Sequence, residues 1–307
     1  MGMRNFFMKN LFVSLLSQPG LFRINRTIIS ALIKIRLFPT SFFKALLKSV
    51  KYLPKEEFIF KVSYDKGLST SFYLKLDSYV DREIFSGQFE TTTLKFYLDY
   101  LLNYRVVWDI GSNIGFYTIL AGLILKNDGK VYAFEPMPAA FERLNRNILL
   151  NKLENIITLN YALGESNCTK EIYFLTDEHI TASPTLNPEW ASASKLLHTQ
   201  QIEQRNAYQL FEKGIIGRPD LIKIDAETYE PVILSSIKPL LILENAPDII
   251  CEVLPPTIKL LQALLLSDCG YSAFHISLQG LTSVKNLEMR RPYNDFFFTK
   301  SSKRIPC

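Results

Sequence analysis

Two acidic residues stand at the ends of apolar runs in this sequence, in positions that suit a cofactor site. Asp109 lies near the end of the run Val106–Ile110, and Glu135 directly follows the run Val131–Phe134. A glycine-containing turn and an apolar helical stretch separate the two runs. Strand, glycine turn, helix, strand and acid form the unit that binds a ribose-bearing cofactor, and the second acid accepts hydrogen bonds from ribose hydroxyls. Glu135 is therefore the predicted ribose ligand.

The spacing of the glycines distinguishes between cofactors. Dinucleotide binding favours G-x-G-x-x-G, whose backbone approaches a pyrophosphate at a helix N-terminus, and that pattern is absent here. The D-x-G-x-N-x-G turn instead suits S-adenosylmethionine, whose amino-acid end is compact and carries no phosphate. The loop 162–165 is expected near the adenine. The candidate cofactor-binding residues are Asp109, Gly111, Ser112, Asn113, Gly115, Glu135, Pro136 and Leu163.

A second group of acids lies further along the chain. Asp225 ends the predicted strand Asp220–Asp225 and Glu227 follows two residues later, whereas Glu252 lies near the end of the run Ile249–Val253. Carboxylates at a helix N-terminus are stabilised by the helix dipole, which is a structural alternative for Glu227. A solitary acid at the end of a buried strand is costly without a partner. Asp225, Glu227 and Glu252 are therefore the candidate catalytic residues.

The pattern of apolar runs predicts an α/β protein with a doubly wound sheet of seven strands, the last of them antiparallel. A hairpin is expected over 57–76 and a helix over 79–104. Residues 176–205 are polar and are expected to form a long irregular loop. The seven predicted core strands are Val106–Ile110, Val131–Phe134, Ile156–Leu159, Asp220–Asp225, Ile249–Val253, Tyr271–Ile276 and Asp295–Thr299. Lys170–Leu175 is expected to form a further strand.

The chain has 307 residues, 48% of them hydrophobic, which is enough for one large core with a small appendage. The net charge of +5 is unevenly distributed, because residues 1–55 contain ten Lys or Arg and no acid. We expect three parts. Residues 1–55 form a basic amphipathic helical arm, residues 56–104 a hairpin and helix, and residues 105–300 the cofactor-binding domain.

The basic arm predicts contact with something anionic. Lys44, Lys48 and Lys51 recur at helical spacing opposite an apolar face, so the arm packs on its own domain or lies on an anionic membrane surface. Its aromatic residues align with the apolar face, so nucleic acid is not the expected partner. Four scattered cysteines and the lack of an apolar run long enough to cross a membrane predict a cytoplasmic protein, with the arm as a candidate contact to the inner membrane face.

Four ordered blocks, DIGSNIGFYT, FEPMPAAFERLNRNILLN, LIKIDAETYE and PDIICEV, resemble the FkbM family of S-adenosylmethionine-dependent methyltransferases. The resemblance covers roughly Phe85 to Thr299 and leaves out residues 1–55. It implies a class I methyltransferase fold and methylation of oxygen, commonly a sugar hydroxyl in a glycan. This chain departs from the family in one position: it has Thr228 where the family pattern D-x-E-G-x-E has its glycine.

The resemblance implies a sugar-containing acceptor whose hydroxyl meets Asp225, with Glu227 or Glu252 beside it. Asp225 would accept the hydroxyl proton directly, or Asp225 and Glu252 would hold a magnesium-like cation that lowers the pKa of the hydroxyl. Two other functions stay open at this stage. One is a non-catalytic cofactor-binding module, because of Thr228, and the other is a nicotinamide-dependent oxidoreductase.

Overall fold

The computed structural model describes residues 56–64, 67–174, 184–193, 198–290 and 294–301. The predicted basic arm, residues 1–55, lies outside the described residues. The described residues up to Thr91 belong to one compact unit, and those from Thr92 onward belong to a second.

The first unit contains the predicted hairpin. Strands β1 (Phe58–Ser63) and β2 (Ser69–Leu74) pair antiparallel and are followed by helix α1 (Tyr79–Ser86). Gly87 ends α1 in the left-handed conformation, with φ 68°, which glycine adopts without steric cost. The single helix expected over 79–104 is therefore wrong: a second helix, α2 (Thr91–Tyr100), follows after a break.

The second unit continues with alternating strands and helices. The first half contains β3 (Val106–Ile110), α3 (Phe116–Leu125), β4 (Lys130–Phe134), α4 (Pro138–Leu150), β5 (Ile156–Leu159), β6 (Ala162–Gly164), β7 (Cys168–Phe174), α5 (Pro188–Ala193) and β8 (His198–Asn206). The second half contains α6 (Ala207–Glu212), β9 (Leu221–Ile224), α7 (Glu230–Ser236), α8 (Lys238–Leu241), β10 (Asp248–Glu252), α9 (Ile258–Leu261), a π-helix (Gln262–Asp268), β11 (Ser272–Ser277), β12 (Gly280–Val284) and β13 (Asp295–Thr299).

Eight of these strands form the main sheet, in the order β12, β11, β13, β10, β9, β3, β4, β5. Strands β10, β9, β3, β4 and β5 are parallel to one another. Strand β13 lies between β10 and β11 and is antiparallel to both. The predicted doubly wound sheet of the class I methyltransferase type, with an antiparallel last strand, is confirmed. The sequence did not predict β12, because this edge strand is mostly exposed and its apolar residues do not alternate.

A separate three-stranded sheet has the order β6, β8, β7. It corrects two predictions: residues 162–164 form a strand and not a loop, and residues 198–205 lie in β8 and not in an irregular segment. The sequence of β8 is almost entirely polar, and Ile202 is its one buried apolar side chain. A hydrophobic pattern could not reveal such a strand, since backbone pairing with β7 and β6 defines it.

The turn after β3 lies directly against the end of β9. The backbone N–H of Asp225 donates to the carbonyl of Ile110 at 3.0 Å. Gly111 has φ 80°, and a Cβ atom added there would lie 1.9 Å from the carbonyl oxygen of Asp225. Only glycine fits such a close approach between two backbones. The fold therefore joins the predicted cofactor turn to the predicted catalytic acid.

We predict that Gly111→Ala destabilises the protein by about 3 kcal/mol or more, because both the backbone conformation and the contact with Asp225 are incompatible with a side chain. Gly214→Ala is the matched control, since Gly214 has a similar φ of 69° but no atom within 4 Å of an added Cβ. Gly214→Ala should lower the free energy of unfolding only by the cost of an alanine in the left-handed conformation, about 1–2 kcal/mol. Urea unfolding measures both, and equal losses would contradict the close approach.

Candidate active site

The glycine turn is held by backbone hydrogen bonds to the end of β4. The N–H groups of Gly111 and Ser112 both donate to the carbonyl of Phe134 at 3.0 Å. Three of the turn residues, Gly111, Asn113 and Gly115, have φ between 50° and 90°. Asparagine and glycine tolerate this region best among the amino acids. The turn therefore owes its shape to these three residue types, as the spacing predicted.

Glu135 ties the turn to β4 through its side chain. Its Oε2 accepts the N–H of Asn113 and its Oε1 accepts the N–H of Met137, both at 2.8 Å. The carboxyl group is buried, and this burial raises its pKa to about 7, although the two backbone donors act in the opposite direction. The structure thus brings together Asn113 and Glu135, two of the predicted cofactor-binding residues.

Other predicted cofactor-binding residues face the interior. The buried Asp109 side chain accepts a hydrogen bond from the Thr118 hydroxyl on α3, and burial raises its pKa. The Ser112 hydroxyl donates to the Asp109 carbonyl at 2.7 Å. Leu163 lies in β6 with its side chain in the hydrophobic core. Pro136 follows Glu135, and its carbonyl accepts a 3.3 Å hydrogen bond from an asparagine amide.

The three predicted catalytic residues converge at the carboxyl ends of β9 and β10. Carboxylate oxygens of Asp225, Glu227 and Glu252 all lie within 4.8 Å of one another, and each residue is partly exposed. Asp295 pairs with Glu252 in the register of β13 with β10, and its side chain accepts the Thr93 hydroxyl at 2.6 Å. Burial raises the pKa of Asp295. This arrangement can accept a proton or hold a divalent cation, which prefers oxygen ligands.

Lys223 is a site residue that the sequence analysis missed. It lies opposite Asp109 in the register of β3 with β9, and its Nζ is 3.2 Å from Oδ2 of Asp225. The same ammonium group lies 4.7 Å from the centre of the Tyr117 ring. Its signal was available, because a lysine within the apolar strand Leu-Ile-Lys-Ile is costly unless a charged partner is near. Lys223 supplies positive charge beside the Asp225 carboxylate.

The turn that carries Glu227 is strained. Glu227 has φ 49° and Thr228 has φ 78°. For a β-branched residue such as threonine this region is an outlier, and each strained residue costs about 1–3 kcal/mol. Glu230 counteracts the strain from inside the turn, because its Oε1 accepts the N–H of Ala226 at 2.8 Å and that of Thr228 at 3.3 Å. Burial raises the pKa of Glu230 to about 8.

Comparison with known proteins identifies the family. The Methyltransferase FkbM domain matches residues 109–273, which is more than half of the chain. The chain belongs to the FkbM methyltransferase family. The matched region runs from the end of β3 into β11, so it contains the glycine turn, Glu135 and all three converging carboxylates.

One curated protein is similar to part of this FkbM chain. Hexuronic acid methyltransferase AglP from Haloferax volcanii is 29% identical over 135 residues, which are 43% of this chain and 49% of that protein. The chain therefore matches about half the length of this relative.

Two solved structures align with the FkbM chain at low identity. Methyltransferase FkbM from Methylobacillus flagellatus KT has a TM-score of 0.42 and 16% identity, covering 72% of this chain and 55% of that one. An O-methyltransferase from Bacillus cereus, in complex with SAH, has a TM-score of 0.37 and 15% identity. The alignment covers 68% of this chain and 79% of that one. The fold is assigned from the strand order given above.

Among the residues that the structure describes, every helix is too short or too polar to cross a lipid bilayer.

We predict that Glu230→Gln changes the pH dependence of stability. The folded-state pKa of Glu230 is about 8, above its ordinary value of 4.5. Between pH 4.5 and about pH 8, Glu230 keeps its proton in the folded protein but has lost it in the unfolded chain. The free energy of unfolding of the wild type therefore falls as pH rises through this range. Glutamine cannot ionise. The stability of the variant relative to wild type should therefore improve by a few kcal/mol from pH 5 to pH 8.

Urea unfolding at several pH values measures this difference. The exposed Glu142→Gln variant on α4 controls for the loss of one carboxylate. Parallel stability profiles for Glu230→Gln and wild type would contradict a buried, protonated Glu230.

Proposed function

We propose that this protein transfers the methyl group of S-adenosylmethionine to a hydroxyl of a sugar in a glycan or glycolipid. The observation that supports this most directly is the convergence of Asp225, Glu227 and Glu252 beside the glycine turn. The family supplies methyl transfer, and the carboxylates supply what an oxygen acceptor needs, namely orientation and removal of its proton.

The residues around Glu135 fit S-adenosylmethionine. A carboxylate has about four acceptor positions, and the two backbone N–H groups from Asn113 and Met137 occupy one on each oxygen. Each oxygen can therefore accept one more hydrogen bond, as two neighbouring ribose hydroxyls require. The surrounding acids also favour a ligand with a sulfonium and an ammonium group. When bound, S-adenosylmethionine supplies an electrophilic methyl group.

Asp225 is the proposed proton acceptor. Lys223 contacts its Oδ2, which fixes the carboxylate and leaves Oδ1 to accept the proton of a hydroxyl. A carboxylate is too weak a base to ionise a sugar hydroxyl in advance, so the proton is taken as the new bond forms. General-base assistance of this kind contributes about 10²–10⁴-fold. Glu227 and Glu252 then accept hydrogen bonds from the acceptor and hold it in line.

The same three carboxylates favour a second route to the same product. Their oxygens are close enough to share one divalent cation, with Glu227 adding a third ligand to the two expected from sequence. Such a cation would lower the pKa of the acceptor hydroxyl. It would also offset the repulsion between three carboxylates and an acidic sugar, which matters because AglP is named as a hexuronic acid methyltransferase. A chelator separates the two routes.

The alternative function is a non-catalytic module that binds S-adenosylmethionine without transfer. The nicotinamide oxidoreductase is disfavoured, because the chain belongs to a methyltransferase family and lacks the third glycine of the dinucleotide pattern.

We predict that Glu135→Ala binds S-adenosylmethionine at least about tenfold more weakly, because hydrogen bonds to a charged group contribute about 1.5–3 kcal/mol each. Titration calorimetry measures the affinity, with Glu142→Ala as the control. Since the pKa of Glu135 is about 7, wild-type affinity should also fall as pH drops from 8 to 6, as the carboxyl takes up a proton. Equal affinities for wild type and Glu135→Ala would remove Glu135 from the cofactor site.

We predict that Asp225→Asn lowers kcat by about 100-fold or more while S-adenosylmethionine binds almost as before. The assay incubates the protein with para-nitrophenyl β-glucuronide or the uncharged β-glucoside and measures S-adenosylhomocysteine and methylated glycoside by mass spectrometry. Asp128→Asn, at an exposed ion pair with Arg105, is the matched control.

Activity that survives a chelator supports Asp225 as the direct proton acceptor. Activity that is lost with chelator and restored by magnesium supports the cation route. An active Asp225→Asn enzyme would contradict both routes, and wild-type binding of S-adenosylmethionine without transfer to either glycoside would favour the non-catalytic module.

A further inference from the structure

The segment 185–187 contacts the strained turn from a part of the chain about forty residues away. The Thr185 hydroxyl donates to the carbonyl of Glu227 at 2.6 Å, and the side-chain amide of Asn187 donates to the Thr228 hydroxyl at 2.9 Å. Thr185 and Thr228 are both buried. We call Thr185 and Asn187 the turn clamp. Its two hydrogen bonds reach Glu227 and Thr228, the two residues of this turn that have positive φ.

The turn clamp is itself held in place on both sides. Thr185 exchanges two backbone hydrogen bonds with Tyr173 of β7, each at 2.9 Å, so its position is set by the three-stranded sheet. The Asn187 Oδ1 accepts the N–H groups of Glu189 and Trp190 at 3.1 and 3.2 Å, at the start of α5. Because Oδ1 is used there, the amide nitrogen of Asn187 faces Thr228 and donates.

The turn clamp explains how threonine is accommodated at position 228. A φ of 78° favours glycine, and threonine there needs contacts that fix it. The Thr228 hydroxyl supplies such a contact, because it accepts the amide of Asn187, and glycine could not form that bond. Glu230 holds the same turn from inside through the N–H groups of Ala226 and Thr228. The hydrogen bonds from Glu230 and from the turn clamp together fix the backbone at Glu227.

The position of Glu227 determines whether three carboxylates converge. Its side chain contributes one of the oxygens that lie within 4.8 Å of those of Asp225 and Glu252. If the turn relaxed, the Glu227 side chain would leave this group, since its direction follows from its own backbone angles. Small displacements of groups that orient a reacting atom reduce rates strongly.

We propose that Thr185 and Asn187 are positioning residues that act through Glu227, and that Thr228 is their hydrogen-bonding partner and not a sign of lost activity. This inference rests on the proposed function, because its kinetic consequence is methyl transfer at the three carboxylates.

The test is a double-mutant cycle of wild type, Asn187→Ala, Thr228→Gly and the double variant, assayed with S-adenosylmethionine and para-nitrophenyl β-glucuronide or β-glucoside. Asn187→Ala should lower kcat about tenfold or more, with the affinity for S-adenosylmethionine within about twofold of wild type. In the Thr228→Gly background, Asn187→Ala should lower kcat by less than about twofold, because the hydrogen bond between residues 187 and 228 and the backbone strain of threonine at 228 are both absent. Asn245→Ala, which removes a hydrogen bond to Arg218 in the loop before β10, is the control.

Thr185 offers two variants that separate its hydroxyl from its methyl group. Thr185→Val removes the donor to the Glu227 carbonyl and should lower kcat as Asn187→Ala does, whereas Thr185→Ser keeps the hydroxyl and should restore turnover. A residue that only supports the fold would lower thermal stability in these variants without this kcat pattern. Equal losses of kcat from Asn187→Ala in both backgrounds, or equal kcat for Thr185→Val and Thr185→Ser, would overturn the inference.

Thermal unfolding of the same four proteins keeps the turn clamp testable without any acceptor. Asn187→Ala should lower Tm by about 2–4 °C with Thr228 present and by less than half of that with Gly at 228. Equal decreases in both backgrounds overturn the turn clamp whether or not the protein methylates a glycoside. Coupled Tm values with no transfer by wild type would instead overturn the proposed function alone.

Discussion

Gly111 and the carbonyl oxygen of Asp225 lie so close that no side chain fits between them. This contact joins two turns that follow different strands of the same sheet. One turn carries Asn113 and is bound to Glu135, and the other leads to Glu227. The approach requires the neighbouring parallel strands β3 and β9 to end at the same level, which their register provides. The proposed cofactor turn and the proposed catalytic carboxylates are therefore positioned by one backbone contact.

The second constraint is electrostatic. Burial raises the pKa values of Asp109, Glu135, Glu230 and Asp295, and for Asp109 this effect exceeds the opposing attraction of Lys223. Such a region is costly to build, since each buried carboxylate must remain protonated or find hydrogen-bond donors. Backbone N–H groups, threonine hydroxyls and Lys223 supply the donors. The remaining negative charge favours a cationic ligand, and this is why we propose S-adenosylmethionine and, as a second route, a divalent cation.

The sequence predicted the elements that hydrophobic runs define and missed those that polar contacts define. The bounds of β3 and β5 agree with the predicted runs, and the turn geometry at Asn113 follows from its glycine spacing. The strand β8 was not predicted because its residues are almost entirely polar. The role of Thr185 was not predicted because it depends on a contact with Glu227, which is distant in the chain. Lys223 could have been found, since a lysine in an apolar strand requires a charged partner.

The central claim is that the glycine turn and the three carboxylates form one site. A crystal structure of the protein with S-adenosylhomocysteine tests it most directly. Our account predicts that the ribose hydroxyls lie within hydrogen-bonding distance of Glu135 and that the sulfur atom faces the opening between Asp225, Glu227 and Glu252. A ligand bound with its ribose away from Glu135, or with its sulfur directed away from the three carboxylates, would contradict the account.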